Sequence, residues 1–162
     1  MPSWLRCGFY AGAGLALLIG FFLLWLWQPE RQVSRHSGNL LRKVEGKNWS
    51  AVADFLADDY ADQWGDDRTL ALARMREAFR YVHALRISAL NPVLNADSYR
   101  GVWRAKITID GDRGDLLVFI KERVNSLATP FELEWRHASR KPWDWKLTSV
   151  HNQDLEVPAG LD

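Results

Sequence analysis

The chain has 162 residues, with 21 Lys and Arg against 20 Asp and Glu and a formal net charge of +1. Arg6 is the only charged side chain in the first 27 residues, so basic and acidic side chains balance over the rest; that argues against bulk nucleic-acid binding, which needs an excess of phosphate-neutralising charge. A single cysteine, Cys7, excludes an intramolecular disulfide and a cysteine-based metal site.

Cys7 to Gln28 carries no charge, and Gly8–Trp27 reads GFYAGAGLALLIGFFLLWLW. About 20 residues of helix, at roughly 1.5 Å rise each, cover a bilayer core of about 30 Å. A cleaved signal peptide has a shorter apolar run and small residues before the cut. Here the run ends in Trp25-Leu26-Trp27-Gln28-Pro29-Glu30, with no such site. Residues 1–28 are therefore read as a short tail and an uncleaved single-pass transmembrane helix, in the plasma membrane or, in a bacterium, the inner membrane. Trp4 lies at one end of the span and Trp25 and Trp27 at the other, where amphipathic indoles belong. Gly8, Gly12, Ala16 and Gly20 fall on one helical stripe, a pattern that lets two helices approach closely. The side of the soluble domain stays open. Arg31, Arg35, Arg42, Lys43 and Lys47 after the span favour a cytoplasmic domain, whereas a short tail before one anchor favours export.

Pro29 suits a first helical turn, so 29–36 is a linker or a helix extension. Leu40, Leu41 and Val44 form one apolar stripe, with Gly46 as the stop. Asn48 is placed to cap a second helix carrying Trp49, Val52, Phe55 and Leu56. Asp66 or Asp67 caps a third, running to about Leu85, with Leu72, Met75, Phe79 and Val82 inside.

Beyond Leu85 the hydrophobic period changes to that of a strand. Residues 86–94 form one candidate, interrupted by Asn91-Pro92. Tyr99, Trp103, Ala105, Ile107 and Ile109 alternate with Arg100, Arg104, Lys106 and Thr108, a half-buried strand. Asp110–Gly114 reads as a hairpin turn and Asp115–Val124 as the returning strand. A last hairpin turns at Ala138–Pro142. It sets Trp135 opposite Trp145 and Leu133 opposite Leu147 on one face, with Arg136–Asp144 and Glu134–Lys146 on the other. The tail is 156–162.

This order predicts an α+β domain over 37–155: three helices packed on a curved antiparallel sheet. The segments Glu45-Gly46-Lys47-Asn48-Trp49, Phe55-Leu56-Ala57-Asp58-Asp59-Tyr60 and Trp143-Asp144-Trp145-Lys146-Leu147-Thr148-Ser149-Val150 carry a resemblance to the nuclear transport factor two-like superfamily, also called SnoaL-like or cystatin-like. The resemblance implies a cone-shaped half barrel. Such cones host dehydratases and isomerases, and equally serve as ligand pockets, dimerisation modules and scaffolds, so fold does not choose the function. An anchor followed by a cone is similar to scaffold subunits of bacterial envelope machines.

No catalytic constellation of that superfamily maps onto this chain. His151, His83 and Tyr99 are the candidate acid–base groups, with Lys121 and His137 sharing the inward parity. Trp103, Trp135, Trp143 and Trp145 are candidate pocket walls. Asp58, Asp59, Asp62, Asp66 and Asp67 miss the spacing of a calcium loop and read as a solvated loop, so no metal and no cofactor is expected. The leading expectation is a membrane-anchored, non-enzymatic domain that binds a protein partner, such as an envelope protein, or itself as a homodimer. A small apolar ligand, or dehydratase/isomerase chemistry in the cone, stands as the alternative.

Overall fold

The computed structural model describes residues 3–82, 84–112 and 115–155, and their side chains except those of residues 3–11 and 115–117. Helix α1, Ser3–Leu26, leads after two residues into α2, Pro29–Glu45. Pro29 opens α2, where its missing N–H costs nothing. Among the described residues no single helix is long and apolar enough to cross a membrane; Gly12–Leu26 and Pro29–Glu45 meet that criterion together, as a pair bent by 64°.

Three short elements follow the sequence pattern closely. Asn48 caps α3, Trp49–Phe55, its side chain accepting from Ala51 N at 3.1 Å. Asp67, not Asp66, caps α4, Arg68–Ala78, accepting from Leu70 N at 2.8 Å. α4 stops well before the predicted Leu85. Phe79, Val82 and Leu85 all bury themselves along a non-helical turn, the Lys47 ammonium donates to the Val82 carbonyl, and Ala84 takes a positive φ of 48° that no right-handed helix allows.

The sheet is a four-stranded antiparallel meander in the order β1 (Arg86–Ala96), β2 (Arg100–Asp110), β3 (Phe131–His137), β4 (Trp145–His151). β1 is longer than its sequence signal because Asn91-Pro92 is absorbed as a bulge: the register shifts between Leu90 and Val93, and Asn91 adopts φ 50°. An edge strand tolerates this, since the proline faces no partner strand.

Asp115–Ser126 corrects the sequence reading. It is a helix, α5, not a strand, so the chain has five described helices where three plus the anchor were predicted. An apolar run of this length is ambiguous between the two states. Tertiary context decides it. β3 pairs only with Arg100–Ala105 of β2, leaving the far end of β2 without a neighbour on that side. Asn125 of α5 fills the gap, accepting from Ile109 N at 2.8 Å and donating to Ile109 O at 3.0 Å. Lys121 therefore sits on a helix, paired with Asp110 at 2.6 Å, and not on an inward strand face.

The last hairpin is also corrected. Trp135 pairs with Leu147 and His137 with Trp145; beyond a bulge between Glu134 and Trp135, Leu133 pairs with Val150. Arg136 faces Lys146 across the ladder and takes Asp59 as its ion partner at 2.6 Å, while Lys146 donates to Asp54 O. α2 packs on β1 and β2, and α3 on α2 and β4. One apolar cluster lies between these layers, including Val33, Leu40, Val44, Val52, Leu56, Trp103, Leu133, Trp135, Trp145 and Leu147.

Candidate functional site

Strand alternation aims Trp103, Trp135 and Trp145 into the core, where they are 4%, 1% and 3% exposed. Trp135 receives His36 and Phe55 edge-on, with ring centroids 5.8 and 6.3 Å away. Its Nε1 is buried with no hydrogen-bond partner among the described residues. Trp145 donates to Pro142 O at 3.1 Å. Trp143, the fourth expected wall, lies outside this cluster at 54% exposure and meets Trp27 at 6.4 Å between centroids.

The candidate acid–base groups do not converge. Tyr99 is 76% exposed in the β1–β2 turn, because β2 begins after it and its inward parity is lost. Its carbonyl accepts from His137 N. The His137 ring stacks on Trp145 at 5.0 Å, and Nε2 lies 2.7 Å from Lys141 O. His151 is exposed at the end of β4, opposite Glu132 and so at the other end of β3 from His137. His83 lies outside the described residues.

The acidic run is structural in each of its members. Asp58 pairs with Arg68 at 2.5 Å and Asp59 with Arg136. Asp62 accepts from Trp64 N and Asp66 N, which closes the loop on itself. Asp66 is buried and pairs with Arg74 at 3.0 Å. Its carboxyl is held above the usual range, first by burial and then by the Asp62 carboxylate, against the pull of Arg74. Burial, and next the Asp62 charge, pushes the Tyr60 hydroxyl well above its ordinary value. Among the described residues no group of His, Cys, Asp and Glu is arranged to hold a metal ion.

A groove of about 480 Å³ opens where α1, α2 and β1 meet, lined by Phe22, Leu26, Glu30, Arg31, Ser34, Arg35 and Leu94. The junction beside it is tightly built. Gln32 is buried and donates from Nε2 to Leu26 O at 2.8 Å, tying α2 back to the last turn of α1. The Arg31 guanidinium lies over the Trp25 ring, 3.3 Å from its centroid. None of these groove residues stands out in the sequence as a site. The available signal is the Arg31/Arg35 pair, one helical turn apart directly after the apolar run. Along α1, Gly12 and Ala16 are exposed, and a Cβ at Gly12 or Gly20 would meet nothing within 4 Å. The same stripe's Gly8 lies in α1 among residues whose side chains are not described.

The layer order and meander give an α+β fold like that of nuclear transport factor two-like and cystatin-like proteins. A nuclear transport factor two-like protein of unknown function from Pseudomonas putida matches at TM-score 0.57 and 8% identity, over 75% of this chain and 83% of that one. The S. rosetta CaMKII hub matches at 0.55 and 14%, over 76% and 95%. Bd1075 of Bdellovibrio bacteriovorus matches at 0.57 and 7%, over 75% of this chain but only 40% of the other. At such identities these likenesses establish the fold alone. No protein-family model and no curated protein matches the chain.

Proposed function

We propose that this protein is a membrane-anchored, non-enzymatic domain that binds a protein partner or a second copy of itself. The observation that carries the reading is the sheet edge. Residues 57–63 cover the outer side of β4, with Ala57 N, Ala61 N and Gln63 N donating to Leu147 O, Thr148 O and Val150 O. Among the described residues no strand covers the outer side of β1, which runs for 11 residues with Leu90 and Val93 exposed. The Asn91-Pro92 bulge divides this edge, so Arg86–Leu90 and Val93–Ala96 are the stretches open to strand addition. Tyr99 meets His137 at one end of the sheet but is 76% exposed there, and His151 lies at the other end; this supports the non-enzymatic part, since catalysis needs two such groups on one cavity. The uncharged run within α1 supports the anchor.

The test is crosslinking and light scattering of full-length protein, in membranes and in mild detergent, beside a Leu90→Lys/Val93→Lys variant. Association in the native chain that the variant loses bears the reading out. A strictly monomeric chain that crosslinks to nothing in membranes overturns it.

A further inference from the structure

We propose that the groove between α1, α2 and β1 binds the phosphate of an anionic phospholipid, with an acyl chain along its apolar wall. This rests on reading α1 as a membrane anchor. The groove then sits at headgroup depth, where the helix leaves the bilayer. Its chemistry is divided as such a ligand requires. Phe22, Leu26 and Leu94 supply the apolar wall, and Arg31, Ser34 and Arg35 the polar mouth. Arg31 is preorganised: its flat face is spent on Trp25, leaving the N–H edge as the binding element. The Arg31 Nε is buried with no partner among the described residues, and neither Arg31 nor Arg35 forms an ion pair among them. The terminal N–H groups of Arg31 and Arg35, on residues without an ion pair among the described ones, can donate charge-assisted hydrogen bonds to a phosphate oxygen in the groove. Glu30 also lines the groove, so two guanidiniums face one exposed carboxylate and the site keeps a net positive charge.

The test uses full-length protein in phosphatidylcholine nanodiscs with a minority of phosphatidylglycerol. Retained lipid is counted by native mass spectrometry after release into detergent. The native chain is expected to retain phosphatidylglycerol selectively. The Arg31→Gln/Arg35→Gln variant should lose that selectivity by about tenfold or more, the scale of one charge-assisted contact. Ser34→Glu, at an exposed helix position that leaves the core untouched, should lose it as well. Equal retention by native and both variant chains overturns the site and leaves the anchor standing. Displacement of the lipid by inorganic phosphate overturns the lipid as the ligand's source. A chain that fails to enter the nanodisc overturns the anchor reading and this proposal with it.

Discussion

Gly101 lets Val33 of α2 lie directly against the backbone of β2: a Cβ there would stand 2.5 Å from Val33 Cγ2 and 3.2 Å from the Ala96 Cβ. Val33 is fully buried, so neither side can yield without moving the helix. Gly101→Ala is expected to cost about 1–3 kcal/mol as overpacking. Val33→Ala in the same chain should recover part of that loss. A double-mutant cycle by urea unfolding in mild detergent checks both, and simple additivity of the two changes would refute the contact.

Trp135 carries the core by volume and not by polarity. Trp135→Ala should destabilise by about 3–5 kcal/mol, the range for large aromatic truncations. Trp135→Phe should cost far less, because the indole N–H is buried with no partner among the described residues and its removal leaves no acceptor orphaned. A Trp135→Phe loss as large as that of Trp135→Ala would refute this account.

Asn152 ties the C-terminal segment to two loops. Its side chain accepts from Thr129 Oγ1, Asp154 N and Leu155 N and donates to Thr129 O, while Gln63 exchanges two bonds with its backbone. Asn152→Ala is expected to cost about 2–3 kcal/mol, since buried partners lose their bonds together. Hydrogen exchange should rise first at Asp154 and Leu155, whose amides are released; protection unchanged there would count against this role.

Two aspartates should shift stability with pH in opposite senses. The Asp66 pKa is raised in the fold, so the native state holds this proton more tightly than the unfolded chain. Its contribution favours folding below the unfolded value and is lost as pH rises through the raised native one. The Asp59 pKa is lowered, first by its hydrogen bond from Arg136. That contribution is present above the unfolded value and fades as pH falls through the native one. Relative to the native chain, Asp66→Asn should therefore gain stability with rising pH across the acid range, and Asp59→Asn should lose it. Parallel slopes in thermal unfolding would contradict the assignment.

Local signals were legible where a single side chain decides the backbone. Asn48 and Asp67 each satisfy an orphan N–H of their own helix, and Pro29 needs no partner. Periodicity also placed Trp103, Trp135 and Trp145 inside. It did so even though Trp135–His137 pair two residues away from the expected register, because an even shift leaves Trp135 and Trp145 on the core face; only beyond the bulge, from Glu134 back, does the offset become odd. Pairing itself was not legible, since the bulge beside Trp135 and the ion pair Arg136–Asp59 depend on a loop distant in sequence. The same holds for α5: nothing local to Asp115–Ser126 announces that Asn125 must complete the edge of β2. The groove was hidden for a related reason. Phe22, Arg31 and Leu94 come from three elements, and only the bend at Trp27-Gln28 brings them together.

That bend has a mechanical side. Only two residues separate α1 from α2, and Gln32 and Arg31 clamp them to the last turn of α1. The joint has no slack. A pull on β1 is expected to pass through α2 to the last turn of α1, because Gln32 and Arg31 join the two helices there.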